Sequence, residues 1–284
     1  MKKILGVNIS HHCSCAYFEN NILKEYYEED RFNKQKGFDP DETKKNNFYY
    51  EYQMFKKFKN ITFDVVVFAS HDRGHIQLET PIIEKCLKQL NYKKYYFNIN
   101  NHHIYHATCG YYFSKYKEAI ALISDGGGEM PINPLFRVLQ SIFLINEKEV
   151  IPKYKYFSNK KVDYFNNFVP IEQYHKKEID FVMSSKSKAG SKYIEYLDKT
   201  NFKIGEEGQL MGIAAYKNKG TDLDKNVLEI ANKAQDETLK DIIDLIEKAK
   251  EYSDCKNLIL SGGYHLNCSN NFKLVKLYPE YNFF

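Results

Sequence analysis

The sequence predicts an α/β protein made of two similar lobes. Three observations carry this reading. A strand, polar loop and hairpin occur twice, glycine turns follow apolar strands, and one long amphipathic helix offers a core-facing stripe. Lys3 to Ser10 reads as a buried strand, Ser14 to Phe18 as a second and Ile22 to Tyr27 as a third, with Glu19-Asn20-Asn21 as the hairpin turn. Glu42 to Lys59 is polar and aromatic and reads as helix; Ile61 to Ser70 is an apolar, β-branched strand. Thr80 to Leu90 carries Ile82, Ile83, Cys86 and Leu90 at helical spacing.

The opening pattern returns at Ala119, roughly 115 residues later. Ala119 to Ser124 is a strand ending in a polar turn, Ser141 to Ile145 a second and Glu149 to Phe157 a third, around the turn Asn146-Glu147-Lys148. This places the lobes at 1–118 and 119–284. Residues 158 to 190 are rich in Lys, Asn and Tyr and read as an irregular excursion suited to setting specificity. Tyr193 to Leu197 reads as helix. Leu223 to Tyr252 is the strongest helix, with Val227, Ile230, Ala231, Ala234, Leu239, Ile242, Leu245 and Ile246 on one face. Asn257 to Ser261 is a strand that enters the turn Gly262-Gly263.

A chain of 284 residues can bury a sizeable core, and its many Phe and Tyr with few Gly and Pro mark an ordered globular protein. The net charge of +4 is small, and the lysines are scattered among acids and tyrosines, which argues against a nucleic-acid partner. Ile4-Leu5-Gly6-Val7 is too short for a signal sequence, and no apolar run approaches the ~20 residues of a membrane span. The six cysteines include no CxxC pair; a reduced, cytoplasmic protein with no membrane partner is the expectation.

Two strand-to-loop junctions and a third glycine turn are what a two-lobed nucleotide-binding fold of the actin, sugar-kinase and Hsp70 type requires. The paired loops would grip phosphates and the third turn would approach adenosine. Beside the second loop, Ile123-Ser124-Asp125-Gly126-Gly127-Gly128, stands Asn101-His102-His103-Ile104-Tyr105-His106-Ala107. On a helix His102 and His106 share a face, and so could His103 and His106. With Asp125 they would offer imidazole and carboxylate donors to a borderline metal ion; the alternative is capped or solvent-facing histidines.

His102 to Ala107, with Gly110-Tyr111-Tyr112-Phe113-Ser114 behind it, resembles the "HHxxHA…xYYxS" segment of the O-carbamoyltransferases of the nodulation-factor, cephamycin and tobramycin type. Gly6 to Ala16 is similar to that family's opening strand and His-Asp-Ser-Ala turn, and Glu29-Asp30-Arg31-Phe32 through Lys36 to its "EERFxRxK" segment. Gly208 to Tyr216 resembles "GKxMGLAxYG", and Leu260 to Asn270 resembles "LxGGxxLNxxxN".

The resemblance implies the same two-lobed fold, shared with the enzymes that make threonylcarbamoyl-adenosine on tRNA. It selects His102, His106 and Asp125 as ligands of iron or zinc. It implies that carbamoyl-adenylate, made from ATP and carbamoyl phosphate, gives its carbamoyl group to an acceptor hydroxyl, by family default on a sugar. His12 would then be the base, and Lys36 and Arg31 would meet phosphate or the carbamoyl end. Gly126 and Gly127 would approach phosphate, and Gly262, Gly263 and Asn267 the adenosine.

The match has departures: Cys13 stands where the family has Asp, Cys15 where a small residue is usual, and Gln209 where it has Lys. The sequence stops at Tyr281-Asn282-Phe283-Phe284, before the family's "DxGxxxGAA" segment, so the end of the second lobe is expected to be missing and a separate chain to carry the second domain. The alternative is an inactive or fragmentary nucleotide- or metal-binding module of the same fold. A plain phosphotransferase or ATPase is a third reading, in which the histidine pair has no ready use.

Overall fold

The computed structural model describes residues 2–10, 12–36, 51–69, 76–97, 101–128, 137–158, 179–203, 205–216 and 224–284. The chain forms two compact units, Met1–His102 and His103–Phe284.

The first unit holds β1 (Lys3–Asn8), β2 (Ser14–Glu19), β3 (Ile22–Glu28), β4 (Thr62–Phe63), β5 (Val65–Ala69), β6 (Asn91–Tyr92) and β7 (Tyr95–Phe97). Its main sheet runs β3-β2-β1-β5-β7, with β4 and β6 paired separately. The first three strands form an antiparallel meander, while β5 and β7 join in parallel. Asn20 and Asn21 both take positive φ, 52° and 64°, as a two-residue hairpin turn with the twist of its strands requires. Leu5, Val7 and Phe68 fill one core with an aromatic triangle of Tyr17, Phe58 and Phe63, whose ring centres lie 5.5–6.0 Å apart, edge to face.

The helix expected over Glu42 to Lys59 lies partly outside the described residues. Its described part is a 3-10 turn, Met54–Phe58, held by the buried Glu29, whose carboxylate accepts from Gln53 N and Met54 N, each at 3.0 Å. The helix expected at Thr80 to Leu90 spans Ile76–Leu87.

The second unit repeats the plan with β8 (Glu118–Ser124), β9 (Arg137–Asn146), β10 (Val150–Ser158), β11 (Asp180–Ser184), β12 (Asn257–Ser261) and β13 (Asn282–Phe283). The order is β11-β10-β9-β8-β12-β13; β8, β9 and β10 are antiparallel, and β12 and β13 continue in parallel. Apart from β11, this is the order and polarity of the first sheet, so the duplication read in the sequence is a duplication of topology. Strand β11 is a correction to the irregular reading of 158 to 190; residues 159–178 of that excursion lie outside the described residues.

The long helix spans Lys225–Lys250, capped by Asp224, and buries Ala231, Ala234, Ile242, Leu245, Ile246 and Ala249. The sequence reading missed helices at Glu207–Ile213 and Cys268–Leu277. Among the described residues no helix is long and apolar enough to cross a membrane.

The division between the units falls after His102, not between 118 and 119. The reason is packing: the helix His102–Ser114 lies on the second sheet, where Ala107 shares a core with Ala119, Ala121, Ile123 and Ile259. Gly110 sits so close to β12 that a Cβ there would overlap Ile259 Cγ2.

Candidate metal and nucleotide site

Strands β8 and β12 are parallel neighbours, with Ser124 and Ser261 at their carboxyl ends. In open α/β sheets that edge is where ligands bind. Every residue of β8 from Ala119 to Ser124 is buried, so the strand presents Asp125 from a rigid base. Beyond β12 the chain must pass close to the end of β8. Gly262 has φ 100° and ψ 162°, and a Cβ there would overlap the Ser124 carbonyl oxygen and lie 3.0 Å from its carbon. That backbone region belongs to glycine. A Cβ on Gly263 would stand 2.8 Å from Asp125 Oδ1. Both glycines are thus accounted for by their approach to the end of β8.

The approach positions the carboxylate. Asp125 Oδ1 accepts from Gly126 N at 2.8 Å and from Gly263 N at 3.2 Å, which leaves Oδ2 turned to His106 Nε2 at 3.6 Å. His102 and His106 lie on one face of their helix, and with Asp125 they offer three donor atoms within 4.8 Å of one another. Backbone N–H groups hold the carboxylate as outer partners hold the ligands of metal sites. Two imidazoles and one carboxylate suit Zn(II) or non-haem Fe(II) and leave positions open for other ligands. The donor set therefore fits a bound metal ion.

His103 faces away. It is fully buried on the side of the helix that carries Ala107, with Nδ1 2.7 Å from Ser141 Oγ. Packing thus places His103 in the core, while the mutually close donor atoms are those of His102, His106 and Asp125.

The other residues singled out in the sequence are placed differently. Gly126 spends its N–H on Asp125, and Gly190, at the start of the helix Ala189–Leu197, presses on that loop: a Cβ there would lie 2.7 Å from Gly126 N. Gly127 lies under Arg137, whose Cδ would be 3.1 Å and Nη1 3.4 Å from an added Cβ. Arg137, which the sequence reading overlooked, brings a positive charge to the loop; only the antiparallel pairing of β9 with β8 reveals it.

Asn267 has no capacity left for adenosine. Its Oδ1 accepts from Gln235 Nε2 at 2.9 Å and Asn270 N at 3.1 Å, and its Nδ2 donates to Gln235 Oε1 at 2.9 Å and Tyr193 Oη at 3.0 Å. It is a helix cap and the centre of a buried amide network.

His12, Arg31 and Lys36 belong to the first unit. His12 is exposed, turns the chain with φ 56°, and accepts through its backbone oxygen from Asn8 Nδ2 at 3.2 Å. Arg31 is exposed and pairs with Glu28 at 2.9 Å, and Lys36 is exposed.

One further imidazole is buried near Asp125. His265, in the single turn Gly263–Leu266, is 8% exposed. Burial pushes its pKa down to about 4, against the raising effects of Asn271 and of the Asp125 charge. The sequence offered no sign of it beyond its place after the third glycine turn.

No family model and no curated protein matches the chain. Solved structures do. Full-length HypF in a phosphate- and nucleotide-bound form matches at 12% identity and TM-score 0.52, over 97% of this chain and 50% of that one. ROK hexokinase from Thermus thermophilus matches at 10% identity and TM-score 0.48, over 98% of this chain and 89% of that one. A ROK family protein from Streptococcus pneumoniae TIGR4 in complex with sucrose matches at 8% identity and TM-score 0.45, over 99% and 89%.

The fold is thereby the two-lobed α/β fold of actin, Hsp70 and the sugar kinases, as the sequence predicted. The likeness to the O-carbamoyltransferases is corrected. No family model and no curated protein joins the chain to that family, and the likeness to solved structures shows the fold alone. Carbamoyl transfer from carbamoyl-adenylate falls with it, as do the roles that the resemblance gave His12, Lys36 and Arg31 in that reaction.

Proposed function

We propose that the chain is a nucleotide- and metal-binding module of the actin, Hsp70 and sugar-kinase fold. The observation that carries this is the three-donor cluster of His102, His106 and Asp125 at the carboxyl end of β8, beside a glycine loop. The cluster would hold Zn(II) or Fe(II), and the cation would supply charge stabilisation to an anionic ligand. Gly127 and Arg137 offer the adjacent loop and guanidinium that suit a phosphate group, and the phosphate- and nucleotide-bound form of HypF supports a nucleotide as the ligand class, with ATP and ADP as the natural probes.

Elemental analysis of the purified chain and calorimetric titration with ATP and ADP test the proposal together. One bound transition metal per chain is expected, lost in a His102→Ala/His106→Ala double variant. Nucleotide affinity should fall about 10-fold or more in Arg137→Ala, the scale of one charged hydrogen bond. Absence of metal and of nucleotide binding in the folded wild-type chain overturns the reading.

A further inference from the structure

The turn after Gly262 carries a buried imidazole that packs edge to face on Tyr264, with 5.3 Å between ring centres, and lies outside the three-donor cluster. His265 Nδ1 faces Asn271 Oδ1 at 3.4 Å, and Asn271 Nδ2 donates to the His265 backbone oxygen at 2.7 Å. The second bond sets the orientation of the Asn271 amide, so its oxygen is the atom presented to the ring. A carbonyl oxygen only accepts; Nδ1 therefore carries the proton, and Nε2 keeps a lone pair. That Nε2 is buried and has no hydrogen-bond partner among the described residues. A neutral imidazole with one N–H fixed on an oxygen and a bare, buried second nitrogen is poised to receive a donor.

The turn that carries the ring is tied to the cluster. Gly263, two residues earlier, donates its N–H to Asp125 Oδ1, which ties this turn to the carboxylate. The charges of Asp125 and His106 both act on the His265 ring. Yet His265 is outside the set of donor atoms lying within 4.8 Å of one another. Ligand atoms on one cation are at most about 4.4 Å apart, twice a metal–ligand bond. Direct coordination is thus not the role that this geometry offers.

We propose that His265 is the outer-sphere acceptor of this centre, its Nε2 taking a hydrogen bond from the O–H of a water or hydroxyl ligand held at the cation. The proposal rests on the metal reading above and deepens it: the ligand that completes the centre is one with a hydroxyl proton to give.

Cobalt(II) titration of the full chain, followed by visible absorption, tests it, with circular dichroism to establish that each variant is folded. The wild-type chain and His265→Ala are expected to bind one Co(II), with His265→Ala about 10- to 100-fold weaker and its absorption band shifted, the usual effect of losing an outer-sphere partner. Asn271→Ala, which keeps the ring but frees it, should weaken binding in the same direction. It carries the test alone if His265→Ala does not fold. Unchanged affinity and spectrum in the folded variants overturn the proposal and leave the metal reading standing. Failure of the wild-type chain to bind Co(II) overturns both.

Discussion

The passage of the chain past the end of β8 can be tested at Gly262. Its φ of 100° and ψ of 162° lie in a backbone region that costs another residue about 1–3 kcal/mol. An alanine Cβ would also overlap the Ser124 carbonyl oxygen and sit 3.0 Å and 3.2 Å from Ser124 C and N. Those atoms cannot step aside, because Ser124 is paired in the centre of the sheet with Gln140. Overpacking of this kind adds about 1–3 kcal/mol. The reduced freedom of the unfolded chain returns roughly 0.4–1 kcal/mol. Gly262→Ala should therefore destabilise the protein by about 3 kcal/mol. Gly205 provides the control: its φ is 99°, with nothing within 4 Å of an added Cβ. Gly205→Ala should cost only about 1 kcal/mol, the strain less the unfolded-state gain. Urea denaturation of the two variants, with m-values checked for equality, measures the difference. If the two lie within about 0.5 kcal/mol of each other, the error of such comparisons, the close approach is refuted, and with it the account of how Gly263 reaches Asp125.

Glu29→Ala should destabilise the first unit by about 2–4 kcal/mol, since two backbone N–H groups of the Met54–Phe58 turn lose their acceptor. A loss under about 0.5 kcal/mol in urea, no more than a surface substitution, would count against that role. Asn267→Ala should cost about 2–3 kcal/mol by breaking a saturated amide network and a helix cap, while nucleotide affinity, measured by calorimetry, stays unchanged; a selective loss of nucleotide binding would restore Asn267 to the ligand. His265 makes the metal-free protein acid-sensitive. Its native pKa of about 4 lies below the ordinary 6.5, so between those values the unfolded chain takes up a proton that the native chain refuses. Stability present above pH 6.5 is then lost as pH falls towards 4, by about 2–3 kcal/mol. Urea curves in the presence of a chelator should show this slope reduced in His265→Gln; an equal slope would disprove the assignment.

The parts of this molecule that were legible in its sequence are those whose signal is local. Strand alternation and two asparagine-led turns exposed the duplicated meander, because a hairpin is specified within about twenty residues. The glycine loops and the histidine spacing were visible for the same reason. What stayed hidden depends on pairing between distant segments. The parallel alignment of β12 with β8 brings Gly263 to Asp125 across 138 positions, and this converts a glycine turn read as an adenosine contact into a clamp on a carboxylate. The pairing of β9 with β8 likewise delivers Arg137 to Gly127. The histidine alternatives had the same root, since His102 and His103 differ only in the face they present, and Ser141 on β9 decides which face is core.

Ordered motif resemblance led further than it could support. The resembling segments include the helix start, the glycine turns and the Asn267 cap, which here answer to the needs of the fold itself. His102, His106 and Asp125 are different in kind, because they bring two imidazoles and a carboxylate oxygen, all metal-donor groups, within 4.8 Å of one another. Any account of what this chain does has to begin from those three side chains and from the backbone N–H groups that aim Asp125 at His106.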